Sequence, residues 1–137
     1  MGIGLVFATV LPIEDATAQC VARKQITGAW QSDDGGIYRV RRVGNVVWWV
    51  GESGDDGQSF TNVFRGVLDG DTITGEWLDV HNAHGFHGDT NRGTLTLQLD
   101  GALTALFGFN KVSETGGFGV SRWFFPCGSE GLSPGLE

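Results

Sequence analysis

Apolar and polar residues alternate along most of this chain with a period of two. Leu95, Leu97 and Leu99 are interleaved with Thr94, Thr96 and Gln98, and Tyr38 and Val40 with Arg39 and Arg41. A two-residue period puts successive side chains on opposite faces of a strand, so each run is half buried and half wet. Eight such runs are separated by turn-forming residues: 26–32, 37–43, 46–51, 60–68, 71–80, 93–99, 102–110 and 118–125. No helical periodicity intervenes. Short connections between consecutive strands imply antiparallel neighbours in chain order. The economical closure of eight such strands is an all-β, eight-stranded up-and-down antiparallel β-barrel, which leaves no exposed edge.

Three glycine-centred pairs are read as tight hairpin turns: Gly44-Asn45, Asp69-Gly70 and Asp100-Gly101. Such turns set register, and register sets the face of every side chain. From Asp69-Gly70, Leu68 is placed opposite Asp71, which pairs Gly66 with Ile73, Phe64 with Gly75, Asn62 with Trp77 and Phe60 with Asp79. This aromatic and glycine-rich set is assigned to the interior, while Arg65 and Glu76 go to water. From Asp100-Gly101, the three leucines share an inner face with Ala102, Thr104 and Leu106. From Gly44-Asn45, Tyr38, Val40 and Trp49 point inward, Arg42 lies near the closed rim, and Trp48 lies outside beside Arg39 and Arg41 in a cation–π arrangement.

Composition agrees with this reading. The 137 residues make one domain, and 23 glycines against three prolines suit a turn-rich β protein. The net charge of −7 excludes the basic stripe that nucleic-acid binding needs and favours solubility. Residues 1–19 hold a short apolar run closing on Ala16-Thr17-Ala18, like the tail of a secretory leader. Glu14 and Asp15 suit instead an ordinary N-terminal segment packed on the domain. The run is too short to span a bilayer. The barrel domain is expected over 20–128 and a flexible tail over 129–137. Cys20 and Cys127 flank the strands. In a secreted or periplasmic protein they would form a disulfide worth about 4–5 kcal/mol in the chain-entropy model, and in the cytosol they would be two separate thiols.

Ile26-Thr27-Gly28-Ala29-Trp30-Gln31, together with Arg122 in the last strand, resembles the Gly-x-Trp and arginine signature of lipocalins and related calycin barrels. Thr27-Gly28-Ala29-Trp30 with a late Trp123 is also similar to the avidin group. The resemblance implies a barrel with Trp30 closing one end and Arg122 lying against it, a ligand at the other end, and pairing of copies through outer faces. Biotin is not implied, because Gln31 to Gly36 does not reproduce the avidin ligand-holding stretch.

The inward set contains polar groups that a plain core would not choose. Asn62 and Asp79 project to the same side as Phe60 and Trp77, at the end away from the Asp69-Gly70 turn. A buried carboxylate needs a partner, water or a ligand. With Tyr38 and Trp49 they make an aromatic wall carrying a few polar groups, the usual composition of a small-molecule pocket. The bland reading turns Asp79 to water at a strand end and uses Asn62 to cap a loop. The stretch 51–59 is either a mobile cover over the mouth or a solvated connection, and Asp33-Asp34-Gly35-Gly36 is a turn. His81, His84 and His87 fall within one short loop and would be either solvated or zinc ligands supporting hydrolysis. Their spacing is not a zinc signature. No nucleophile constellation accompanies Ser53, Ser59 or Ser121. The leading expectation is a non-enzymatic barrel, needing no cofactor, that binds a small, partly apolar molecule through Tyr38, Trp49, Phe60, Asn62, Trp77 and Asp79. The alternatives are a carbohydrate or surface-binding module using Trp48 and Phe107, and a metal-dependent hydrolase built on the three histidines.

Overall fold

The computed structural model describes residues 22–80 and 91–125. Within them run eight strands: β1 (Gly28–Ser32), β2 (Ile37–Val43), β3 (Val46–Glu52), β4 (Thr61–Asp69), β5 (Thr72–Val80), β6 (Arg92–Ala102), β7 (Ala105–Glu114) and β8 (Arg122–Phe124). Each pairs antiparallel with the next, and β8 returns to β1 through Gln31↔Phe124 and Ser32↔Trp123, closing the barrel. Closure satisfies the backbone groups that an open sheet would leave bare. β8 is short, and Arg23, upstream of β1, extends the seam by exchanging two backbone hydrogen bonds of 2.9 and 2.8 Å with Leu106 of β7. Among the described residues no helix is long and apolar enough to cross a membrane.

The β2–β3 register matches expectation, with Val43 opposite Val46 around Gly44-Asn45. The β4–β5 register does not. Asp69 pairs with Thr72, so the loop residues are Gly70 and Asp71, and the pairs become Leu68↔Ile73, Gly66↔Gly75, Phe64↔Trp77 and Asn62↔Asp79. The reason lies in the turn: glycine takes the first loop position with a positive φ, 66° at Gly70 and 63° at Gly44, as two-residue hairpins require. The slip is two residues, a full side-chain period, so every face assignment survives it.

The third turn also differs. β6 continues through Asp100-Gly101 to Ala102, which pairs with Ala105 around Leu103-Thr104. Asp100-Gly101 lies at a bulge where Phe107 is the extra residue of β7, and Val112 is extra at a second irregularity. Bulges of this kind bend long strands around a closing barrel. Ala102 and Thr104 are therefore exposed, and Phe109 joins Leu106 inside. The expected strand over 118–125 is likewise shorter: Phe118 and Val120 lie in the β7–β8 connection and fold inward, both buried.

Aromatic side chains fill the barrel. Trp49 stacks on Phe64 at 4.4 Å and lies 5.2 Å from Trp123, Phe118 stacks on Trp123 at 5.8 Å, and Trp30 leans on Phe109 at 4.9 Å. Glycines make room for them. A Cβ on Gly66 would fall 2.6 Å from the Phe64 ring and 2.8 Å from Ile73. Trp30 closes one end, its indole N–H donating to the Ile26 carbonyl at 2.9 Å. The arginine against it is Arg23, 5.2 Å above the ring and 4.6 Å from Phe125, not Arg122. Arg122 reaches away to Asn110 at 2.7 Å and Asp100 at 3.2 Å.

Candidate functional site

The opposite end of the barrel is formed by the β1–β2, β3–β4 and β7–β8 connections and by Asn91 before β6. Between them lies a pocket of about 140 Å³ lined by Asp34, Tyr38, Phe60, Asn62, Trp77, Asp79, Asn91 and 117–120. Five of the six residues expected from the sequence converge here. The sixth, Trp49, sits one layer deeper and serves as support: its indole N–H donates to Asn62 Oδ1 at 2.7 Å. Asn62 is 1% exposed and passes the chain outward, Nδ2 donating to Asp79 Oδ1 at 2.7 Å. With its oxygen taken by Trp49, the Asn62 amide can present only N–H to Asp79, which aims one carboxylate oxygen inward. Among the described residues no donor takes the second oxygen.

Each wall has a local cause. Tyr38 stands opposite Gly51, and its ring lies across the bare glycine. Trp77 is held by donation of its indole N–H to the Thr115 carbonyl at 3.0 Å and by an edge contact with Phe118 at 5.1 Å. Asp34 is set by its own turn, accepting from the Gly36 amide at 3.0 Å and from the Ser32 hydroxyl. The β3–β4 connection is a tied loop centred on Asp55. That carboxylate accepts from the Ser53 and Ser59 hydroxyls and from the Gln58 and Ser59 amides. The hydroxyl bonds first, then those to the amides, hold the Asp55 carboxyl well below its ordinary range.

The mouth is electrostatically one-sided. Asp34 and Asp79 line it, and among the described residues no lysine or arginine does. Tyr38 registers the field. Its phenol is pushed far above the ordinary value, first by burial and then by the charges of Asp34, Asp79 and Asp33. It remains a neutral hydroxyl across the physiological range, able to donate or accept.

Sequence reasoning missed Asp34, Asn91, Phe118 and Val120 as lining residues. Asp33-Asp34-Gly35-Gly36 carried a turn signal that masked a second role, and 118–120 carried an apolar alternation that reads as strand. Trp48 and Phe107 are both exposed, at 46% and 51%, but lie on β3 and β7, which share no pairing, and make no common aromatic row. Arg41 stands opposite Trp48 as expected, but the cation over the ring, at 5.3 Å, is Arg65 of β4. His81, His84, His87, Cys20 and Cys127 lie outside the described residues. No protein-family model matches the chain, and no curated protein or solved structure matches it either.

Proposed function

We propose that this protein is a non-enzymatic binding barrel that takes a small molecule at its mouth, with an apolar part against Trp77, Phe60 and Phe118 and a cationic or donor-rich end at Asp79. The observation that carries this reading is the Trp49–Asn62–Asp79 chain, which positions a carboxylate in a pocket whose described lining holds a second acid and no basic side chain. A structural carboxylate gains most from a cationic partner in its own chain; among the described residues Asp79 has none, which leaves that role to a ligand. The filled interior restricts size, since 140 Å³ is the space of about five waters at ~30 Å³ each. This differs from a barrel with a deep apolar cavity, and the lipocalin and avidin likeness is proposed only as a likeness of architecture and of the Trp30 closure. Secretion, with Cys20 and Cys127 paired, belongs to the same proposal and rests on the leader-like start.

Benzylammonium and benzoate, alike in shape and opposite in charge, test it by thermal shift and calorimetry. Benzylammonium raises the melting temperature, benzoate does not, and Asp79→Asn removes the effect while the protein stays folded. Equal response to both ions, or an undiminished response in Asp79→Asn, refutes the reading.

A further inference from the structure

The outer wall of the barrel carries a second and larger concavity, about 850 Å³, across β2 to β6. Register alone lays out its floor. Arg39 pairs with Val50, Val50 with Val63, Val63 with Leu78, and Leu78 with Arg92. An aliphatic row three side chains wide thus runs across the strands with an arginine at each end. Val50 and Leu78 are each 45% exposed, and here the register sets them side by side with Val63 in one row. The next row holds Arg41, Trp48, Arg65 and Glu76.

We propose that this groove docks an extended acidic peptide segment of a partner protein, with carboxylates at its two ends and aliphatic residues between. Charge complementarity selects the occupant. In a chain of net charge −7 with nine lysines and arginines, four of the nine line this one groove, and Glu76 is the single acid among the described lining residues. Arg39 also reaches Glu52 beside the groove at 3.4 Å, an exposed pair that a ligand carboxylate has to compete with. Arginine grips carboxylates through paired N–H bonds. A second copy offering the same face would set like charges together. A phosphate-rich surface offers no aliphatic side chains for the row between the arginines. A neutral sugar could stack on the half-exposed Trp48 but offers no carboxylate to the four arginines. The spacing is also suitable. Four inter-strand steps of roughly 4.8 Å separate Arg39 from Arg92, a path of about 19 Å along the curved wall, which an extended chain at ~3.3 Å per residue covers in about six residues when it follows the curve. Carboxylates at i and i+6 then meet the two arginines, and side chains at i+2 and i+4 fall on the floor.

The probe is a fluorescein-labelled Glu-Thr-Val-Thr-Leu-Thr-Glu peptide, titrated onto the full chain by anisotropy and by amide shifts. Saturable binding that weakens as salt rises, moves the amides of Val50, Val63 and Leu78, and falls roughly tenfold in Arg39→Gln/Arg92→Gln supports the site. Loss of binding when the peptide ends are changed to glutamine supports it equally, with the protein unaltered. The proposal is overturned if a lysine-ended peptide binds equally, if the double variant binds as the parent does, if an alginate oligosaccharide binds this face more tightly, or if the parent dimerises through it.

Discussion

Gly51 is the position where a single methyl group separates two opposite outcomes. It lies mid-way to the mouth on β3, opposite Tyr38 of β2, with no positive φ to forbid alanine. On backbone grounds alone, alanine there would stabilise the protein by about 0.5–1 kcal/mol through loss of unfolded-chain freedom. The ring forbids it. A Cβ at Gly51 would sit 2.2 Å from Tyr38 Cε2 and 2.4 Å from Cδ2. The ring is 1% exposed and wedged edge-on against Trp49 at 5.2 Å and Trp123 at 5.7 Å, so it can shift only toward the mouth pocket and away from both contacts. Overpacking of this kind costs about 1–3 kcal/mol, so Gly51→Ala destabilises by about 1–2 kcal/mol after the entropic gain is set against it. With a urea slope of about 2 kcal/mol/M, the unfolding midpoint falls by about 0.5–1 M. Tyr38→Leu removes the obstructing ring, and the double variant then recovers about 1 kcal/mol relative to the sum of the single changes. A Gly51→Ala midpoint at or above that of the parent, or a cycle that is simply additive, refutes the packing argument.

Tyr38 is the only tyrosine in the chain, so absorbance of tyrosinate reports this one group. Its folded value is raised above the ordinary 10.0; stability is therefore complete below about pH 10 and is lost as pH rises further, because the unfolded chain ionises first. Tyrosinate should appear only together with alkaline unfolding, and gradual titration near pH 10 in a protein with intact tryptophan fluorescence would contradict this. Asn62→Leu leaves the buried Trp49 N–H without its acceptor and is expected to cost about 1–3 kcal/mol in thermal or urea unfolding; an unchanged melting temperature would remove Asn62 from the supporting role. Asp55, whose value is lowered, keeps its loop tied as pH falls through the usual aspartate range and releases it only in stronger acid. Amide-exchange protection at Gln58 and Ser59 should be the same at pH 7 and about pH 4, and should vanish in Asp55→Ala with little change in barrel unfolding.

Much of the site was legible because strand chemistry is periodic. Once Asn62, Trp77 and Asp79 fall on the inward parity, even a misplaced turn cannot move them to the outside unless it slips by an odd number of residues. The β4–β5 turn slipped by two, and the inward set was retained while its partners changed, from Asn62 facing Trp77 to Asn62 facing Asp79. That change matters chemically, since it creates the Trp49–Asn62–Asp79 chain. The bulges in β7 were not legible. A bulge adds a residue without altering local alternation, so Phe109 and the exposed Ala102 and Thr104 could be placed only by the pairing of a closed barrel.

The sequence by itself determined the number of strands, their antiparallel order, and the wet and dry faces of β2 to β6 up to Leu99, because these depend on side-chain period and on glycine at the first two hairpin turns. Only the tertiary structure decided that the interior is packed solid with rings, that Arg23 and not Arg122 lies on Trp30, and that the pocket at the mouth is small and acidic. Those outcomes depend on contacts between residues far apart in the chain. How much space side chains leave at the centre of a barrel follows from shear, bulges and ring orientation, none of which a local pattern encodes.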